Sequence, residues 1–300
     1  MRIVMNIKTY LHEKSASIDL YLKSYFQAPS APGVLSEAMK YSLFAGGKRI
    51  RPVLAMASYE ACGGDPAEIV PQAAALELIH TYSLIHDDLP VMDNDDLRRG
   101  KPTSHKVFGE AMALLAGDAL LTEAFLMMAN GASNGVTIKP LCLLKAVREV
   151  ALSAGANGMV GGQAQDILSE NSEPDGETLE FIHLHKTAAL ITASVRMGPL
   201  LSNSRRDKLY ALTRYGENIG LAFQIVDDIL DIEGTTEELG KSAGSDSKKN
   251  KLTYPSLFGI EGARQKAKDL IAGAIDAISR FSSGADPLRG IADYLGERRA

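Results

Sequence analysis

The chain has 300 residues, of which 45% are hydrophobic and 23% charged, an ordinary balance that argues against wholesale disorder. Its 32 Lys and Arg stand against 37 Asp and Glu, a net charge of −5, which argues against a protein that coats nucleic acid. Cys62 and Cys142 are too few for a disulfide framework, lack metal-ligand spacing and read as small apolar residues in a reducing compartment.

In chain order, the opening MRIVMNIKTYLHEK has no sustained apolar core and no small-residue cleavage pattern, so no signal peptide is expected and the location reads as cytoplasmic. Gly46-Gly47-Lys48-Arg49-Ile50-Arg51-Pro52 then joins a flexible pair to three cations suited to phosphate oxygens. Between Gln72 and Leu89, the spacing of Ala73, Leu76, Ile79 and Ser83 and the scarcity of β-branched residues predict a helix. His80 lies on it, seven residues before Asp87; alone it reads as readily as a satisfied core residue. Further helical patterns run through 109–130, 140–168, 178–197, 206–233 and 261–281. The richest apolar stretch, Ala111–Leu121, is short and carries Asp118, so no membrane span is expected. No alternating run predicts a sheet, and the fold class reads as all-α with ten or more helices. The Gly-, Ser- and Lys-rich stretch 240–251 reads as a mobile loop inside one domain over 1–300, because roughly 50 residues beyond it are few for a second core.

Two acidic clusters interrupt oily helices. The first is Asp87-Asp88-Leu89-Pro90-Val91-Met92-Asp93, and the second is Asp227-Asp228-Ile229-Leu230-Asp231. Like charges at the end of an apolar helix are costly unless something compensates them. Asp227 and Asp231 lie roughly 40° apart on a helix, within reach of one cation. In the first cluster a straight helix would carry Asp93 off the face of Asp87, so Pro90 is expected to break the helix and let the chain return Asp93 to the site. Oxygen donors without His or Cys suit Mg²⁺, which completes its shell with water and phosphate. An EF-hand starting at Asp93 fails, because Arg98 stands where its glycine is required. Arg98-Arg99-Gly100 follows directly, either as a counter-clamp for an anion or simply neutralising Asp95 and Asp96. Lys186-Thr187 falls inside an apolar helix, and Lys241, Lys248, Lys249 and Lys251 populate the glycine-rich loop. Neither a Ser-His-Asp or Cys-His arrangement nor a Walker-type loop is present, leaving metal and charge to carry the chemistry.

GGKRIRP, SLIHDDLPVMDNDDLRRGKPTSHKVFGEAMALLAGDALL, GGQAQDIL, HKT, FQIVDDILD and LGK…KLTYP occur in an order that resembles the trans-prenyltransferases, and more narrowly the bacterial-type farnesyl diphosphate synthases. The similarity runs from about residue 30 through nearly the whole chain. It implies an isoprenoid-synthase helical bundle around a central apolar cavity, acting as a homodimer. By that resemblance Asp87, Asp88 and Asp93 would bind two Mg²⁺ and Asp227, with Asp228 and Asp231, a third; Mn²⁺ is a possible substitute. An allylic diphosphate would be gripped by Arg98, Lys186, Lys241 and Lys251, and isopentenyl diphosphate by Gly47, Lys48, Arg51, His80 and Arg99. Gln163, Asp166, Thr187 and Gln224 would line the reacting centre, Lys186, Thr187, Gln224 and Arg98 would act in catalysis, and Arg298-Arg299 would close over the site. Tyr82-Ser83, five and four residues before Asp87, would floor the growing-chain pocket and set a fifteen-carbon product; relatives making geranylgeranyl diphosphate often carry something smaller at Tyr82's position. The rival readings are the same chemistry with a geranyl or geranylgeranyl product, a terpene cyclase, a metal-dependent phosphohydrolase and an inactive binding paralogue. A cyclase would show a different second acidic motif and would not need GGKRIRP. A phosphohydrolase would need further histidine ligands. A paralogue would have lost aspartates or basic residues that are all present here.

Overall fold

The structure, a computed structural model, describes residues 5–27, 32–130, 132–133, 136–169, 175–233 and 253–297. Helix α4 (Val70–Asp87) lies at its centre. Every residue from Val70 to Ile79 is buried, as are Thr81, Tyr82 and Ile85, the all-round burial of an interior helix. Around it pack α1 (Ile7–Tyr25), α2 (Gly33–Leu43), α3 (Ile50–Ala61) and, after the short α5 (Ser104–Phe108), α6 (Glu110–Ala129). Small residues on α6, among them Ala113, Ala116, Gly117 and Ala124, are buried where it meets this cluster.

The pattern expected over 140–168 forms two helices, α7 (Pro140–Ala154) and α8 (Met159–Ser169). The break falls in Gly155-Ala156-Asn157-Gly158, where a Cβ on Gly158 would collide with the Ser153 carbonyl. Next come α9 (Gly176–Ile182), a π turn over His183–Ala188, and α10 (Ala189–Leu201), then α11 (Arg206–Glu233). Helix α12 (Tyr254–Ala277) starts seven residues before the expected position 261. Thr253 and Ser256 form a capping box there, and Gly259 bends the helix with φ of 71°. Helix α13 (Asp286–Glu297) completes a second apolar cluster with α10, α11 and α12.

Helices α3 and α10 belong to both clusters. Met56 and Met197 face the first, Val53, Leu54, Ile191 and Val195 the second. The two helices touch backbone to backbone: a Cβ on Gly198 would collide with Ser58, whose hydroxyl donates to the Val195 carbonyl at 2.5 Å. Among the described residues the only strands are two-residue antiparallel ladders, Leu97–Arg98 with Lys101–Pro102 (β1, β2) and Ala132–Ser133 with Val136–Thr137 (β3, β4). The chain is all-α.

Residues 110–129 form a single 20-residue helix that is long and apolar enough to cross a membrane by length and composition, although 39% of its most apolar window is buried inside the protein. The helix matches the pattern expected over 109–130, and its length and composition are weak evidence for a span, since a core helix meets the same test; no membrane span is evident. Its outer side exposes Leu114, Leu115 and Leu126.

Candidate active site

The GGKRIRP segment is built around Arg49, which adopts a left-handed conformation with φ of 50° ahead of α3. Its Nε donates to Asp19 and its Nη1 to Glu77, both at 2.8 Å, and Nη2 donates to the Leu43 carbonyl. Burial disfavours its charge, but Glu77 and Asp19 outweigh that and raise the guanidinium pKa. Arg49 is therefore the structural cation of the three, and its neighbours face the chemistry. Lys48 and Arg51 line a cavity of about 710 Å³ together with Gly47, His80 and Arg99. Arg51 is 9% exposed, and its Nε has no hydrogen-bond partner. Burial lowers its pKa, Glu77 and Asp227 oppose this and Arg99 adds to it. His80 is held neutral: burial, then Arg51, Arg99, Arg98 and Arg49, push it well below the ordinary histidine range. A buried guanidinium with an unmet donor beside further cations is the signature of an anion site.

Arg98 and Arg99 sit on the β1–β2 hairpin. Its two central residues, Arg99 and Gly100, have φ of 53° and 74°, as a two-residue type I′ turn requires. Arg99 reaches back and donates to the Gly46 carbonyl, and a Cβ on Gly47 would lie 2.7 Å from its guanidinium. Gly47, itself at φ of 128°, is needed on both counts. Arg98 turns the other way, onto Asp88 at 2.5 and 3.0 Å and Asp95 at 3.3 Å. Thus Asp88, 4% exposed, is engaged by an arginine.

Helix α4 ends at Asp87, ahead of Pro90, and the Asp93 N–H donates to the Asp87 carbonyl at 2.8 Å. The chain doubles back as the six-residue spacing demanded. Burial pushes the Asp87 carboxyl up to about 6; Lys186 opposes this, Asp93 adds to it. On α11, Asp227 lines the cavity, whereas Asp228 and Asp231 are 3% and 2% exposed. Asp228 accepts from Gln224 Nε2 at 2.8 Å and from the Tyr254 N–H at 2.9 Å. Among the described residues no three carboxylate, His or Cys side chains converge into a ready-made cage. Carboxylates in small groups on separate elements, oxygen donors throughout and a shortage of positive charge at Asp87 nevertheless suit a hard cation that takes its remaining ligands from water and phosphate.

The third wall is the π turn, one residue wider than an α turn and a recurrent feature of functional sites. It sends adjacent side chains to different helices: Lys186 to Asp166 of α8 at 2.6 Å, Thr187 to Gln224 of α11 at 2.7 Å. Glycines wedge it from both sides, since a Cβ on Gly162 would collide with the Lys186 backbone and one on Gly220 would lie 2.6 Å from Ala188. Thr187 and Gln224 line the same cavity as Arg51, and Gln163 is half-buried on α8. Tyr82 and Ser83 do not line that cavity. Tyr82 is buried, edge-on to His86 with centroids 5.6 Å apart, and Ser83 donates to the His80 carbonyl. Lys241, Lys251, Arg298, Arg299 and the whole of the loop 240–251 lie outside the described residues. The sequence reading missed Glu77 and the α13 residues Ile291, Tyr294 and Leu295, which line the cavity, and His183, which stands behind Asp228. A buried Glu in an apolar helix was the available signal for the first; the others depend on tertiary contact.

A helix-enclosed cavity with a cluster of cations, Asp227 and an apolar remainder, close to a second acidic group at the end of α4, is the kind of site a prenyl diphosphate synthase needs. Over residues 32–283 the chain matches the polyprenyl synthetase family, and it belongs to that family. It is 47% identical over 294 residues to the geranylgeranyl diphosphate synthase of Cyanophora paradoxa, covering 98% of this chain and 97% of that protein. It is also 47% identical over 282 residues to the farnesyl diphosphate synthase of Geobacillus stearothermophilus, covering 94% and 93%. The crystal structure of an FPP/GFPP synthase from Zymomonas mobilis superposes with a TM-score of 0.85 at 40% identity, covering 97% of this chain and 99% of that one.

Replacing Arg49 with Met strands Glu77 as a buried charge and is expected to cost about 3–5 kcal/mol in urea unfolding. Arg51→Met, which removes a guanidinium with an unmet donor, costs clearly less; equal losses would contradict the division of labour between them.

Proposed function

We propose that the protein condenses isopentenyl diphosphate head-to-tail with dimethylallyl and geranyl diphosphate to give farnesyl diphosphate. The observation that carries this reading is the unmet donor of buried Arg51, on a basic wall that faces Thr187, Gln224 and Asp227 across one cavity. The isopentenyl diphosphate anion rests on Lys48, Arg51 and Arg99, with neutral His80 as a hydrogen-bonding neighbour, and its double bond faces Thr187 and Gln224. Asp87, Asp93 and Asp227 would hold Mg²⁺, about three ions in all with the allylic diphosphate, while Asp88 and Asp228, engaged by Arg98 and by Gln224 and the Tyr254 N–H, shape the two acidic rims. Bound Mg²⁺ supplies positive charge against the diphosphate as it departs. Lys186 adds a side-chain cation near Asp87. The allylic cation is attacked by the isopentenyl double bond, forming a carbon–carbon bond, and a proton then leaves to the released diphosphate. Apolar walls exclude the water that would quench the cation to an alcohol.

The fifteen-carbon product rests on Tyr82. Identity does not discriminate, because farnesyl and geranylgeranyl synthases match equally well. A buried tyrosine about 7.5 Å down the helix from Asp87, braced by His86, supports a floor at that depth. The exposed leucines of α6 and α7, including Leu126 at 63% and Leu144 at 64%, support a second copy of the chain as their cover and hence a homodimer.

With isopentenyl diphosphate, either starter and Mg²⁺, the enzyme is expected to stop at fifteen carbons, and Tyr82→Ala to run on to twenty; a variant that still stops at fifteen places the floor elsewhere. With burial raising the Asp87 carboxyl to about 6, calorimetric Mg²⁺ affinity in the presence of inorganic diphosphate should rise more steeply from pH 5 to 7 than in Asp87→Asn, where only the diphosphate titrates; equal slopes would contradict the role of Asp87. Sedimentation should show a dimer that Leu126→Glu with Leu144→Glu converts to monomer.

A further inference from the structure

His183 opens the π turn, belongs to none of the acidic or basic clusters, and is 4% exposed. Its Nε2 stands 3.4 Å from Asp228 Oδ2, and its Nδ1 is buried without a hydrogen-bond partner. That asymmetry selects a tautomer. With the proton on Nε2, the ring points a donor at a carboxylate oxygen 3.4 Å away and leaves only a lone pair unmet. With the proton on Nδ1, a donor is orphaned and two lone pairs face each other.

The contact continues toward the cavity. Asp228 Oδ1 accepts from Gln224 Nε2, and Gln224 Oε1 accepts from the Thr187 hydroxyl. A flipped Gln224 amide would set oxygen against carboxylate, so the position of Asp228 decides which way the amide points. Gln224 and Thr187 both line the cavity beside Asp227.

We propose that His183 is a positioning residue: its Nε2–H clamps Asp228, and through Asp228 it orients the Gln224 amide and the Thr187 hydroxyl at the reacting end of the site. The inference rests on the prenyl-transfer reading, which a wild-type assay checks separately.

Glutamine carries a donor near the imidazole Nε2 position, whereas asparagine reaches only the Nδ1 position. His183→Asn should lower kcat about tenfold or more, the worth of one hydrogen bond to a charged group. Calorimetric affinity for isopentenyl diphosphate should stay within about threefold, because Lys48, Arg51 and Arg99 are untouched. His183→Gln should return kcat to within about threefold of wild type. Equal kcat in the two variants, or a loss that appears only in affinity, overturns the proposal. The wild-type protein gives a test independent of variant folding: ¹⁵N spectra of the imidazoles, with His183 assigned by its absence in His183→Gln, should show the neutral Nε2–H tautomer. An Nδ1–H tautomer overturns the proposal even if the enzyme is active. Absence of any product from wild type faults the prenyl-transfer reading and leaves the tautomer as the measure of His183.

Discussion

The buried pair of Arg49 and Glu77 is the interaction from which the basic wall is built. Both side chains are about 2% exposed, and their 2.8 Å contact must offset a desolvation cost that one ion pair seldom covers alone. Asp19 and the Leu43 carbonyl supply the extra bonds. Together they hold Arg49 in its left-handed conformation and set the register of the residues on either side. All three cations border the cavity, but the Arg49 guanidinium is committed to Glu77, Asp19 and the Leu43 carbonyl, whereas Arg51 keeps an unmet donor. A run of three cations thereby divides into one that maintains structure and two that are available to an anion.

The remainder of the site is a problem in opposed charge. Arg51 and Arg99 share a wall on which burial and neighbouring guanidinium groups (Arg99 for Arg51, Arg49 and Arg98 for Arg99) disfavour their ionised forms, and the same causes hold His80 well below the ordinary histidine range. At the end of α4, Asp87 has the converse difficulty and leans toward protonation. Each excess calls for the other kind of ion, which the proposed diphosphate and its Mg²⁺ would supply together. Backbone contacts keep the walls at this distance. Glycines at 47, 162 and 220 bring the Arg99 guanidinium, the π turn and α11 nearer than any side chain would permit.

Much of this was legible in the sequence for identifiable reasons. Helical periodicity located α4, α6 and α11 because each has a long apolar run, and Pro90 marked the end of α4 because a proline disfavours helix in the residue before it. The aspartates stood out because charge at the end of an apolar run is improbable without a compensating ligand. The break between α7 and α8 was harder to see, since apolar spacing continues through Gly155 and Gly158. The π turn had no local signature; HLHKT reads equally well as α-helix. The partners of Asp88 and Asp228 come from a hairpin, a separate turn and the start of α12, none of which adjacency in the chain reveals.

The sequence by itself determined the helical class, the return of Asp93 to Asp87 and the chemical type of the ligand, because these follow from periodicity, from proline geometry and from which charges occur together. Tertiary structure alone decided how those charges are used. It assigned Arg49 to Glu77 and Arg98 to Asp88, left Arg51 with an unmet donor, and placed His183 behind Asp228. Such choices depend on which side chains lose water together, and that is set by packing between helices far apart in the chain. The near-cancelling composition of 32 cations and 37 anions contains none of this information; the gathering of Lys48, Arg51, Arg99 and Asp227 around one cavity does.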